Sequence, residues 1–224
     1  MMAIGWEMDS LQEDAVMTEP AKWKATYDDL CGIPENMIGE IIDGELIATP
    51  RPARGHVHAA SALGGEILPP YQWGRGGGPG GWIIYHEPEL HLASDVLVPD
   101  LAGWRKERLL ILPEEHRFTI APDWVCEVLS PGSARNDRMK KMRRYARDEV
   151  KFAWLIDPML KMLEAFQLES GRWVVLGVYA ENDKVRTEPF QEIEANMEMS
   201  DEDWLALRAS AKKQAEKIYE IFYA

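Results

Sequence analysis

The passage from Trp124 to Ile156 does most to limit the folds open to this chain. Trp124-Val-Cys-Glu-Val-Leu129 is an apolar run of strand length, residues 133–148 have helical composition, and 152–156 is a second apolar run stopped by Asp157-Pro158. Two buried strands joined through a helix lie parallel, because a crossover of that size is what a parallel pair requires. The other turn signals belong to antiparallel hairpins. The expected fold is therefore α/β (α+β): a mixed, twisted β-sheet flanked by helices, with added antiparallel hairpins.

Local chemistry places the remaining elements. Asp43-Gly44, inside Glu40-Ile-Ile-Asp-Gly-Glu-Leu-Ile47, is a two-residue turn signal, and Ser170-Gly171 turns a second pair at 162–168 and 173–179. Thr26 can cap a helix whose first turn carries Asp28 and Asp29. A helix is expected from His56 to about Leu68, stopped by Pro69-Pro70. Strands are expected at 82–86, 89–92 and 96–104, followed by a polar, partly helical connection at 105–119. The Gly74–Gly81 segment follows no expected strand and lacks a Lys-Ser or Lys-Thr pair, so it reads as a flexible loop and not as a phosphate cradle. Residues 1–20 read as a loosely ordered acidic arm. A single domain spans 21–224, with 200–224 as a C-terminal helix.

A chain of 224 residues with 46% apolar side chains can fill a proper core. No apolar stretch approaches the roughly 20 residues that cross a bilayer, and no basic-then-apolar leader opens the sequence. Cys31 and Cys126 match no zinc or redox spacing, and Cys126 reads as a small core residue. A reducing, cytoplasmic setting is expected. The net charge of −13 argues against indiscriminate nucleic-acid binding, but the acidity is mostly terminal. Residues 1–20 and 181–224 each carry −5, which leaves −3 for residues 21–180. Within that part, 135–151 holds eight bases against three acids. Charge alone makes this stripe equally a solvated helix face or a phosphate-binding surface. Its place beside Glu127 favours the second, with Arg135, Arg138 and Arg144 as nucleic-acid contacts.

Glu127 shares a strand face with Val125 and Leu129, and an acid there is costly unless it is paired or metal-bound. Asp100 closes a second apolar run as Val98-Pro-Asp100. Alone it is also an ordinary turn residue. Two carboxylates on rigid neighbours can hold a hard cation, with the Val128 carbonyl as a third oxygen. Asp137, Lys141 and Tyr145 follow at i, i+4, i+8 on one helix face, while Met139, Met142 and Ala146 form a separate apolar stripe for the sheet. Lys141 is placed to orient water or stabilise phosphate charge. Lys140 is the solvated neighbour, and Asp137 reads first as a helix cap.

These pieces occur in one order: Glu40-Ile-Ile-Asp-Gly-Glu-Leu, His56, Val98-Pro-Asp100, Cys126-Glu-Val-Leu-Ser-Pro131, Asp137-x-x-x-Lys141-x-x-x-Tyr145 and Trp154-Leu-Ile-Asp-Pro158. The series, covering roughly residues 26–180, resembles the Uma-type restriction endonucleases, a branch of the PD-(D/E)XK nuclease superfamily. The resemblance implies a restriction-endonuclease-like core, Mg²⁺ or Mn²⁺ as cofactor and DNA as substrate. It implies Asp100 and Glu127 as metal ligands, Lys141 as the catalytic lysine and Glu40 as an accessory acid, with His56, Asp137 and Tyr145 nearby. In the usual superfamily pattern the lysine lies two residues after the acid. Here that position is Leu129, and Lys141 on the following helix replaces it.

Other readings stand beside this one. His56-Val-His58 matches a cupin-like metal pair only on a strand, and its surroundings look helical. The nine tryptophans suit base stacking less well than core packing, with Trp104 and Trp154 assigned to the core. A catalytically silent nuclease fold that binds protein or nucleic acid is the alternative function, since acidic termini suit protein partners or a homodimer.

Overall fold

The computed structural model describes residues 23–52, 54–111, 116–180, 183–191 and 195–196. The expected acidic arm at 1–20 and the expected terminal helix at 200–224 lie outside the described residues. Among the described residues no helix is long and apolar enough to cross a membrane.

Thr26 accepts the Asp29 amide while Asp29 accepts the Thr26 N–H, so α1 (Tyr27–Cys31) opens with a reciprocal capping box. β1 (Met37–Ile42) and β2 (Glu45–Pro50) form the expected hairpin. Asp43 and Gly44 both take positive φ, as a tight two-residue turn between twisted strands demands. α2 (Arg54–Ile67) does not stop at the prolines. It runs on into a π-helical turn, Leu68–Gln72, closed by the Trp73 N–H on the Leu68 carbonyl. Pro69 and Pro70 fall at the first positions of that turn, and the N–H groups they lack would have bonded the Gly65 and Glu66 carbonyls, so the α-helical ladder ends there and the wider turn takes over.

β3 (Trp82–His86) and β4 (Glu89–Leu92) lie where expected. The single strand expected at 96–104 is two: β5 (Asp95–Leu97) and β6 (Leu101–Arg105), in different sheets. Pro99 has no N–H to give a ladder, so the chain leaves one sheet at Val98 and enters the other after Asp100. The described part of 105–119 holds turns and β7 (Arg117–Phe118), with no helix. β8 (Trp124–Val128) precedes a helical run built from α3 (Ala134–Asn136), a π-helical turn (Asp137–Lys141) and α4 (Met142–Arg147). β9 (Phe152–Asp157), then β10 (Met162–Glu169) and β11 (Arg172–Ala180) as a hairpin, and the short β12 (Lys184–Val185) and β13 (Ala195–Asn196) complete the described order.

The larger sheet runs β11-β10-β9-β8-β6-β3, and its β8–β9 pair is parallel, as the strand–helix–strand passage required. The second sheet runs β2-β1-β5-β4-β7. Strand alternation splits the core. Trp124, Cys126 and Val128 join Trp82, Trp154 and the α2 residues Leu63 and Ile67 on one side. Val125 and Leu129 join Trp104, Leu155, the helical run's Met142 and Tyr145, and the second sheet's Leu90 and Leu97 on the other. Trp104 and Trp154 are fully buried, as is Cys126.

One buried acid fastens the second sheet to the helical run. Asp95 lies 2.9 Å from Arg144 Nε and 3.2 Å from Arg147 Nη2, and it accepts the Asp43 N–H at 3.1 Å. Arg144 also pairs with Asp43 across the hairpin turn. Asp95→Ala is expected to lower the unfolding free energy by about 2–3 kcal/mol, because it takes one of two carboxylate partners from the partly buried Arg144 and the acceptor from the Asp43 N–H. Urea unfolding measures this, and a loss below about 1 kcal/mol would show the link to be dispensable.

Candidate active site

The site gathers where the chain crosses between the sheets. β6 pairs with β8 so that Leu101 faces Cys126, which sets Asp100 level with Glu127. The Asp100 carboxylate accepts the Val128 N–H at 2.7 Å through Oδ2, and its Oδ1 lies 2.5 Å from His56 Nε2. Glu127 is buried on its strand and accepts the Tyr145 hydroxyl at 2.5 Å. Lys141 Nζ lies 2.8 Å and 3.0 Å from the two Glu127 oxygens, 2.9 Å from Glu40 Oε1, 3.2 Å from the Val98 carbonyl and 3.7 Å from Asp137 Oδ1.

The π-helical turn explains how a lysine comes to sit at 3% exposure. A turn of this type takes one extra residue, which rotates the succeeding side chains relative to an α-helix. Met142 donates its N–H to the Asp137 carbonyl, five residues back, and Asp137, Lys141, Met142 and Tyr145 all point inward. The same rotation breaks the expected Met139–Met142–Ala146 stripe. Met139 is 58% exposed. Asp137 is not a cap but a buried member of the cleft wall. Lys140 is half-buried and paired with Glu45 at 2.7 Å.

The electrostatics arise from four carboxylates around one lysine and one histidine. Burial pushes the Glu127 carboxyl well up; Lys141 opposes this, and Asp137, Asp100 and Glu40 add to it. Burial likewise pushes Asp137 up to about 6, against the pull of Lys141. Burial alone would lower the Lys141 ammonium, but Glu127 and Glu40 hold it well above its usual range. Tyr145 is raised by burial and by Glu127, so its hydroxyl stays protonated as a donor. For His56 burial acts downward, and Asp100 more than offsets it, for a net rise.

These groups line a cleft of about 250 Å³, walled by Ile47, Thr49 and Pro50 of the hairpin and by Ser130, Ser133 and Asn136 before and within the helical run. At roughly 30 Å³ per water, it holds several waters or a phosphate group. Asp100, Glu127, Lys141, Glu40, His56, Asp137 and the Val128 backbone all reach it, while Tyr145 acts from behind Glu127. The three arginines expected to meet nucleic acid are not equivalent. Arg144 is committed to Asp95 and Asp43 and does not line the cleft. Arg138 is paired with Glu164 at 2.5 Å, and Arg135 is exposed. His58 lies outside the cleft lining and on a helix, so no cupin-like pair forms.

Sequence reasoning missed the backbone of Val98. Its N–H holds Glu40 Oε1 at 2.8 Å while its carbonyl accepts Lys141, so both groups are aligned by one residue. Pro99 was the available signal, since a proline inside an apolar run marks the end of ladder pairing.

A family model described as "Uma2: Putative restriction endonuclease" matches residues 25–199. The chain belongs to the Uma2 family. Among solved structures, this Uma2 chain is similar to one titled as a putative nuclease belonging to DUF820, from Anabaena variabilis ATCC 29413. Identity is 21%, the match covers 82% of this chain and 98% of that one, and the TM-score is 0.60. That likeness establishes the nuclease-like α/β fold. No curated protein sequence matches the Uma2 chain.

The raised Asp137 carboxyl makes stability depend on pH. An acid whose folded pKa of about 6 exceeds its ordinary 3.8 binds its proton more tightly when folded, so the native state loses stability as pH rises between those values. Asp137→Asn removes this. The stability gap between variant and wild type should open in the variant's favour between pH 4 and pH 6 by roughly 2–3 kcal/mol. Urea titrations across that range measure it, and a gap independent of pH would contradict the assignment.

Proposed function

We propose that this Uma2 protein is a Mg²⁺- or Mn²⁺-dependent endonuclease that hydrolyses DNA phosphodiester bonds, with Asp100 and Glu127 as its metal-binding pair. The observation that carries the reading is the placement of these two carboxylates and the Val128 backbone in one cleft beside a buried lysine. All the donors are oxygens, which suits a hard cation. Burial and neighbouring acids raise Glu127 and Asp137, a surplus of negative charge that a cation would relieve. Among the described residues no three His, Cys, Asp or Glu side chains converge as a ready cage. Mg²⁺ does not need one, since it is commonly held by one or two carboxylates, with waters and substrate phosphate completing the shell. When bound, such a cation polarises a phosphate oxygen and acidifies an attacking water.

The chain's own residues have separate tasks in this reading. Lys141, kept protonated by Glu127 and Glu40, orients Glu127 and offers positive charge to the phosphate as negative charge develops on it. Tyr145 restrains Glu127 from behind. Arg135, with Arg138, meets the DNA backbone at the start of the helical run, whereas Arg144 serves the fold. One observation favours a second reading, a catalytically silent binding module. Every carboxylate oxygen of Asp100 and Glu127 already has a protein partner.

Incubating plasmid, linear and single-stranded DNA with Mg²⁺ or Mn²⁺ separates the two. Wild-type protein should cleave at least one of these substrates and stop on chelation. Asp100→Ala, Glu127→Ala and Lys141→Met should each lower the rate by roughly 100-fold or more. Cleavage that survives all three substitutions would sink the site, and retention of DNA without cleavage would favour the silent module.

A further inference from the structure

We propose that His56 is a positioning residue that fixes the Asp100 carboxylate for cation binding. The inference deepens the nuclease reading and rests on it. Asp100 occupies the short link between the two sheets, outside either ladder. The link's backbone is held by the Glu87 N–H on the Asp100 carbonyl, 3.0 Å, but nothing in that bond sets the carboxylate plane. The last torsion of an aspartate is broad and roughly two-fold, so the plane turns unless both oxygens are engaged. Here both are: the Val128 N–H takes Oδ2 at 2.7 Å, and His56 Nε2 lies 2.5 Å from Oδ1.

The two partners come from opposite directions. Val128 lies on β8, beside Glu127, so its N–H registers Asp100 against the other proposed ligand. His56 lies in the first turn of α2, the helix that covers the opposite face of the sheet from Lys141. Its imidazole and the Asp100 side chain are 15% and 12% exposed, which shields the bond from competing water while both residues still line the cleft. A carboxylate oxygen has two lone pairs, so one donor from His56 leaves Oδ1 a second for a cation. Hydrogen bonds of this kind to a ligating carboxylate aim it and are worth about 10–100-fold in metal affinity. A simple tie between α2 and the link would give the same contact but no such effect.

Mn²⁺ titration by calorimetry or electron paramagnetic resonance distinguishes these roles, with folding checked by circular dichroism. His56→Ala should weaken Mn²⁺ binding by about 10–100-fold, and His56→Gln, whose amide nitrogen can donate to the same oxygen, should recover most of it. Activity should change in the same sense: a higher Mn²⁺ requirement with kcat largely restored at saturating metal. If the alanine variant does not fold, His56→Leu keeps the bulk and removes only the donor. Wild-type affinity in the folded alanine or leucine variant, or a glutamine variant as weak as these, would overturn the role of His56 alone. Absence of Mn²⁺ binding by the wild type would overturn the cation reading and this inference with it.

Discussion

The arrangement depends on one buried ammonium. An ion of that size loses several kcal/mol of hydration on burial and is tolerated only where its three protons all find acceptors. Lys141 finds them in Glu127, Glu40 and the Val98 carbonyl, with Asp137 close behind. Each acceptor comes from a different element: β8, β1 and the link between β5 and β6. The lysine therefore closes a contact that both sheets and the helical run must be in place to make. Removing it leaves the buried Glu127 and Glu40 carboxylates without their shared cation.

Two irregularities make that contact geometrically accessible. The Val98-Pro99-Asp100 link carries the chain from the five-stranded sheet to the six-stranded one and delivers Asp100 beside Glu127. The π-helical turn at Asp137–Lys141 swings the lysine inward without interrupting the helical run. A regular strand at 96–104 would have kept Asp100 within a single sheet. Two departures from ideal geometry thus fall at the site, as is common where a fold serves chemistry.

Much of the frame was legible in the sequence because its signals are local. The Asp43-Gly44 and Ser170-Gly171 turns, the Thr26 cap and the apolar runs of β3, β4, β8 and β9 are short-range patterns whose meaning tertiary packing did not change. The parallel β8–β9 pair was implied by connection length. The differences at Pro99 and at the Met139 stripe share a cause, since ideal strand and helix periods do not hold at a sheet crossover or a π turn, while Pro69-Pro70 ends the α-helix but lets a wider turn continue it. Asp100, Glu127 and Lys141 could be singled out by residue type and order. That Glu40 and Lys141 would be aligned by the backbone of Val98 could not, because a backbone contact leaves no residue-type signature. Within the basic stripe, Arg144 and Lys140 pair with acids on the second sheet, contacts that residue type alone does not reveal.

The central claim is that Asp100 and Glu127 share one divalent cation. A crystal grown with Mn²⁺ and measured at a wavelength where manganese scatters anomalously tests this without reference to any substrate. The account predicts an anomalous peak in the cleft at about 2.1 Å from an oxygen of each carboxylate, with Asp100 still bonded to the Val128 N–H. A peak bound elsewhere, or an empty cleft at saturating Mn²⁺ with Glu127 still clasped by Lys141 and Tyr145, would contradict it.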